Sequence, residues 1–204
     1  AADFVKEKYG EERADHFSDH LLKGYFEDKQ GFFEVISNTA YPEIARATAV
    51  NQIMNQNITQ EDISKLVTYL NDDSAWVRTE TVRAIEKTGI DTYNASLENL
   101  LGDSIRMVRI PTAKYFNLKN IDVAANPNFE KANKEFLNQM ELNLDFASGQ
   151  HQKALYYQSK NNTEEAIRCY EKALKIDNYY NMSRMNLALL YYQNGEKIKS
   201  ENLY

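Results

Sequence analysis

The fold is indicated by a stretch that occurs twice, Leu70-Asn-Asp-Asp-Ser-Ala-Trp-Val-Arg78 and, 31 residues later, Leu101-Gly-Asp-Ser-Ile-Arg-Met-Val-Arg109. Each copy places an aspartate six positions before an arginine, and an apolar run with helical periodicity follows. A recurrence at a short fixed period predicts helical units that stack, because one such unit cannot bury its apolar face alone.

A weaker third copy precedes these two, at Tyr41-Pro-Glu-Ile-Ala-Arg-Ala-Thr-Ala-Val50, although Ala40 stands where the aspartate should be. The aspartate of such a turn accepts hydrogen bonds from free amides at the start of the second helix. The arginine farther along that helix can reach an aspartate of a neighbouring repeat. We therefore expect these charges to form a structural ladder rather than a ligand site, with the members Asp72, Arg78, Asp103 and Arg109. Over about residues 40 to 117 the pattern resembles HEAT-like repeats of the short type.

A second repeat pattern lies nearer the C terminus. Counted as a 34-residue repeat from Ala147, small and aromatic residues recur at fixed offsets, at Ala154, Tyr157, Ala166, Tyr170 and Ala173. A further copy starts at Asn181 and carries Ala188, Tyr191, Gly195, Ser200 and Tyr204. Small residues let paired helices approach closely, and aromatics fill the gap between repeats. These offsets resemble the TPR pattern, apart from Asn178, where a proline commonly ends the repeat.

The two patterns predict an all-α fold, a right-handed α–α superhelix of HEAT-like and TPR-like repeats. Only 7 glycines and 3 prolines are available for turns, which suits helices joined by short loops. We expect N-terminal capping helices over 1–39, HEAT-like repeats over 40–120 and TPR-like repeats over 121–204, the last one truncated. Because the chain ends inside an apparent helix, we expect it to be a segment of a longer protein.

Composition argues against several function classes. The net charge is −6 and no run of Lys and Arg supplies a basic face, so nucleic acid is a poor partner. No stretch approaches the roughly 18 apolar residues of a membrane helix, so we expect no membrane insertion. Catalytic patterns such as Ser-His-Asp, Cys-His or a phosphate-binding glycine loop are not visible, and we expect no enzyme. The single cysteine, Cys169, is expected in the core.

One pair of residues invites a metal hypothesis. His16 and His20 lie one helical turn apart and could present two imidazoles to one ion. Two ligands do not make a site, and no glutamate follows His16 as it would on a zinc-protease helix. A solvated or packed helix face is the simpler interpretation, so we expect no metal.

The order of the two repeat types, together with the run Asp103-Ser-Ile-Arg-Met-Val-Arg-Ile110, resembles the part that follows the haem-binding region in large bacterial multihaem c-type cytochrome-like proteins. That resemblance implies a periplasmic electron-transfer context and haem c in the longer protein. The chain itself contains no Cys-x-x-Cys-His, so we expect it to attach no haem c and to hold no cofactor.

Two functions from different classes fit these patterns. The first is a non-catalytic scaffold that binds a protein or peptide. The second is an accessory region of a multihaem electron-transfer protein, whose partner is the rest of its own chain because it docks or orients the haem domains.

In the scaffold function, a partner would meet the first helices of the TPR-like repeats. TPR first helices line an inner groove, and the corresponding positions here carry apolar and amide side chains but no Lys or Arg: Ser148, His151, Gln152, Leu155, Gln158, Met182, Met185, Asn186, Leu189 and Tyr192. Capture of a terminal carboxylate needs Lys, Arg and Asn, and only Asn186 matches that set. We therefore predict a groove for an apolar or aromatic segment. The alternatives are that a helix beyond Tyr204 fills it, or that these residues pack against the neighbouring repeat.

Overall fold

The computed structural model describes residues 4, 7–8 and 16–203. Over this part of the chain about 73% of the residues are helical and none is in a strand, which confirms the all-α prediction. The rest of the predicted capping segment before residue 16, and Tyr204, lie outside the described residues.

From residue 16 onward the helices are α1 Phe17–Phe26, α2 Gln30–Ser37, α3 Glu43–Ile53, α4 Gln60–Thr68, α5 Ala75–Thr88, α6 Asn94–Asn99, α7 Arg106–Leu118, α8 Phe129–Leu142, α9 Ala147–Ser159, α10 Thr163–Ile176, α11 Asn181–Gln193 and α12 Lys197–Glu201. Short 3₁₀ turns extend α4 and α6, at Tyr69–Asn71 and Leu100–Gly102.

The chain divides into two compact units, Ala1–Thr112 and Ala113–Tyr204. The division lies inside α7, whereas the sequence placed the change of repeat type at residue 120.

In the first unit, consecutive helices pack on one another: α1 on α2, α2 on α3, and both α3 and α4 on α5. The core is formed by apolar side chains of α2, α3 and α5, including Phe32, Ile36, Val50, Ile53 and Val77. The α1–α2 crossing is close, because a Cβ on Gly31 would lie 2.4 Å from the carbonyl oxygen of His20. Glycine is therefore required where these two helices meet.

Two helix ends of the first unit follow from local sequence. Thr59 and Asp62 form a capping box at the start of α4, in which each side chain accepts from the backbone N–H of the other residue. Gly89, with φ of 71°, ends α5 in the left-handed conformation that glycine adopts without steric cost.

In the second unit, α9 packs on α10, α10 on α11 and α11 on α12. The helices α9 and α11 begin at Ala147 and Asn181, the residues at which the sequence starts its two TPR-like copies. Small and aromatic residues at the repeat offsets are fully buried, namely Ala154, Ala166, Tyr170, Ala173 and Ala188. These residues let consecutive helices approach closely enough to share one core.

Candidate functional site

The aspartates of the predicted ladder hold the starts of two helices in the first unit. Asp72 Oδ1 accepts from the backbone N–H of Ser74 at 2.9 Å, just before α5. Asp103 Oδ1 accepts in the same way from Ile105 at 2.8 Å, just before α7. Each carboxylate thereby takes up an amide at a helix start that has no partner within its own helix.

The arginines connect these turns. Arg78 donates from Nε and Nη2 to the two carboxylate oxygens of Asp103, at 2.8 and 3.0 Å, and from Nη1 to the carbonyl oxygen of Asp72 at 2.7 Å. Arg109 Nη1 donates to the carbonyl oxygen of Asp103 at 2.6 Å. The charged groups of Arg78 and Asp103 are therefore paired inside the unit, as parts of the scaffold.

Arg46 belongs to the same ladder, although the set predicted from sequence omits it. Its guanidinium donates to both carboxylate oxygens of Asp72. No aspartate stands at position 40, and Arg46 Nε donates instead to the carbonyl oxygen of Ile36 at 2.8 Å. In the sequence, the alignment of Arg46 with Arg78 indicates that Arg46 is a member of the ladder.

The predicted groove residues of the second unit separate into two groups. On α11, Met182, Met185, Leu189 and Tyr192 are 53% to 61% exposed. Their spacing of three, four and three residues places them on one face of the helix. We call these four side chains the α11 stripe.

The predicted α9 residues are placed differently, and two of them pack against neighbouring helices, the alternative that the sequence left open. His151 is only 5% exposed, and its Nδ1 lies 3.0 Å from Ser183 Oγ of α11. Gln158 accepts a hydrogen bond from the hydroxyl of buried Tyr170. Both side chains join α9 to the neighbouring helices instead of facing a groove. Gln152 is exposed and Leu155 is partly buried.

Tyr170 is the centre of a hydrogen-bonded network that holds α11 in place. Its hydroxyl donates to Gln158 of α9 and accepts from Asn186 Nδ2 of α11 at 3.1 Å. The centroid of the His151 ring lies 5.4 Å from the centroid of the Tyr170 ring. Burial raises the pKa of Tyr170 to about 12, although the hydrogen bond from Asn186 lowers it in part. The phenol is therefore neutral at physiological pH. The network fixes Asn186 and, with it, the orientation of the α11 stripe.

The two histidines of the metal hypothesis have protein partners. His20 Nδ1 lies 2.9 Å from Glu34 Oε2, and His16 Nδ1 lies 2.8 Å from Ser18 Oγ. Among the described residues no three His, Cys, Asp or Glu side chains are grouped so that they could hold a metal ion. Cys169 is buried, and burial raises the pKa of its thiol. Within the described part of the chain, no helix has both the length and the apolar character to cross a membrane.

Comparison with known families bears on the second unit. A family model described as TPR repeat matches residues 154–195. This segment is a TPR-like helical repeat. No curated protein and no solved structure matches the chain.

The match to the TPR repeat runs from α9 through α11 and includes all four residues of the α11 stripe. From the sequence pattern, which starts a TPR-like copy at Asn181, we expect the stripe to lie on the first helix of that copy, where TPR repeats line a groove. The HEAT-like assignment, the multihaem resemblance and the periplasmic location rest on the sequence alone and stay predictions.

Proposed function

We propose that this chain is a non-catalytic helical-repeat scaffold that binds an apolar or aromatic segment of a protein or peptide on the α11 stripe. The α11 stripe carries the proposal, because it places four large apolar side chains on one exposed helix face. TPR repeats commonly mediate protein–protein interaction, which supports a binding role for a TPR-like segment.

The chemistry of the stripe favours an apolar partner. Met182 and Met185 are flexible and polarisable, so they can adapt to differently shaped side chains. Tyr192 offers an aromatic ring with a polar edge, a residue type that often dominates binding energy at interfaces. Among the predicted groove positions only Asn186 matches the Lys, Arg and Asn set used to capture a carboxylate, and its amide is already engaged with Tyr170.

The experiment measures how tightly the chain binds an amphipathic peptide that carries Leu and Phe on one face. The peptide is tested in two forms, one with a free and one with an amidated C terminus. We expect equal affinity for the two forms, and none for a peptide with Ser in place of Leu and Phe. The variant Met185→Glu should lower the affinity about tenfold or more, because binding would bury a charge against apolar groups.

The matched control is Leu142→Glu, since Leu142 is a 78% exposed apolar residue of the same unit that lies on α8 and not on α11. It should bind the peptide as the unmodified chain does. A strong preference for the free carboxylate, or equal losses in the two variants, would contradict the proposal.

A further inference from the structure

The first unit contains a groove between α3 and α5, with a volume of about 280 Å³. Apolar and polar side chains of the two helices line it: Ile44, Ala47, Thr48, Asn51, Gln52, Trp76 and Glu80. The ladder residues Arg46 and Arg78 belong to the same two helices but are not part of this lining.

Trp76 is the chain's single tryptophan and is 48% exposed. Its counterpart in the preceding repeat is Ile44, which is 59% exposed and also stands two positions before a ladder arginine. Within the described part of the chain, no cation or aromatic ring contacts the indole of Trp76. About half of the Trp76 surface is therefore open to solvent beside the groove that it lines.

Glu80 supplies the only charge among the lining residues. It lies one turn after Trp76 on α5, so the two side chains share a helix face. Glu80 Oε2 accepts from Asn51 Nδ2 of α3 at 3.1 Å, which holds the carboxylate across the groove. The Glu80 side chain is 14% exposed. Its Oε1 also accepts from Nη1 of Arg83 at 2.5 Å, and the Arg83 side chain is 52% exposed.

We propose that this groove binds an arginine or lysine side chain of an extended partner polypeptide. The partner's cation stacks on the indole of Trp76, and the carboxylate of Glu80 balances its charge. A cation above a tryptophan face is attracted by the negative potential of the ring, and a nearby carboxylate strengthens the site.

Arg83 does not block such a ligand, because an ion pair to a half-exposed arginine is weak. Its guanidinium can move into water when the partner's cation arrives. The apolar stem of the bound side chain then lies against Ile44. The amides of Asn51 and Gln52 can hydrogen-bond to the partner's main chain.

Charge complementarity identifies the partner as basic. Glu80, which pairs with half-exposed Arg83, is the charged residue of the groove lining, Glu43 precedes Ile44 at its edge, and the whole chain carries a net charge of −6. A second copy of this acidic chain would be repelled, whereas a basic segment would be attracted at long range. The occupant is therefore a cationic segment of another polypeptide.

The test uses an extended peptide with arginine between apolar residues and the same peptide with citrulline, which has nearly the shape of arginine but no charge. Trp76 fluorescence reports binding directly, since no other tryptophan is present. The arginine peptide should change this emission and protect Trp76 from acrylamide quenching. We expect the citrulline peptide to bind about tenfold more weakly.

Two variants locate the effect. In Glu80→Gln the arginine and citrulline peptides should bind alike, and in Trp76→Leu, followed by calorimetry, arginine binding should be lost. The control Glu61→Gln removes a 79% exposed carboxylate of the same unit and should keep the preference for arginine. Equal affinities in the unmodified chain, no binding of either peptide, or an unchanged preference in Glu80→Gln would overturn the proposal. The quenching experiment uses the unmodified chain, so its result does not depend on whether a variant folds.

Discussion

Arg78 and Asp103 form a two-pronged ion pair that joins α5 to the turn before α7, with N···O distances of 2.8 and 3.0 Å. The two side chains are only 13% and 6% exposed. Because Asp103 also accepts from the amide of Ile105, one carboxylate serves both the ion pair and the start of a helix. The position of α7 relative to α5 within the first unit therefore depends on this contact.

Replacing Arg78 should destabilise the first unit strongly. In Arg78→Met the Asp103 carboxylate keeps its buried position but loses its cation, so we expect a loss of about 3 kcal/mol in the free energy of unfolding. Urea denaturation followed by Trp76 fluorescence measures this loss in the unit concerned.

Arg83→Met, at a half-exposed arginine of the same helix, is the control and should cost less than about 1 kcal/mol. In the double variant Arg78→Met with Asp103→Leu, part of the stability should return, because no buried charge is left unpaired. Similar midpoints for Arg78→Met and Arg83→Met would show that the pair contributes little.

The sequence predicted those features that a repeat pattern specifies directly. The starts of α9 and α11 at Ala147 and Asn181, and the burial of Ala154 and Tyr170, follow from the spacing of small and aromatic residues. Such positions must be small or aromatic for consecutive helices to pack, so the pattern carries the information.

Partners that lie outside the pattern could not be predicted. His151 was predicted either to line a groove or to pack against the neighbouring repeat, but its partner Ser183, 32 residues later, stands at no offset that the repeat singles out. Arg46 donates to the backbone carbonyl of Ile36. Because every residue has a backbone carbonyl, the sequence does not show which one accepts this bond. In both cases the side chain found a tertiary partner that depends on how neighbouring helices are placed.

Replacing Gly149 with alanine should destabilise α9, although this substitution normally stabilises a helix. Alanine is favoured over glycine in helices by up to about 1 kcal/mol. At this position, however, a Cβ would lie 1.8 Å from the carbonyl oxygen of Asn143, a backbone atom that cannot rotate away. We expect Gly149→Ala to destabilise α9 by about 2 kcal/mol, measured by hydrogen exchange of its amides. The neighbouring exposed Ser148→Ala should leave exchange unchanged or slow it, and faster exchange in both variants would refute the steric explanation.

Oxidation should act selectively on the α11 stripe. Hydrogen peroxide transfers one oxygen to a methionine sulfur and leaves as water, giving a polar sulfoxide. Met182 and Met185 are about 60% exposed, whereas Met140 is 4% exposed. Peptide mapping by mass spectrometry should therefore find sulfoxide at the two stripe methionines first.

The oxidised chain should bind the Leu and Phe peptide more weakly, because a sulfoxide disfavours an apolar contact. Methionine sulfoxide reductase should restore binding, and the variant with leucine at both positions should bind equally before and after peroxide. Undiminished binding by the fully oxidised unmodified chain would exclude the two methionines from the contact.

The second unit should lose stability in mild acid because of His151. Burial lowers the pKa of His151 below its ordinary value of 6.5, and the groups around it, Ser183, Tyr170 and Tyr180, offer no compensating negative charge. The folded state therefore binds a proton less readily than the unfolded chain. The stability is fully present above pH 6.5 and is lost as the pH falls below that value toward the folded-state pKa.

Hydrogen exchange in α9 and α11, measured from pH 7.5 to 5 and corrected for the intrinsic exchange rate, tests this dependence. Each pKa unit of difference between the folded and unfolded states corresponds to about 1.4 kcal/mol. His151→Gln should be less stable than the unmodified chain at neutral pH, since it loses the packed ring, but its stability should fall less with acid. His16→Gln, at an exposed histidine of the first unit, should keep the original slope for the second unit. Parallel stability curves for the unmodified chain and His151→Gln would mean that the proton enters elsewhere.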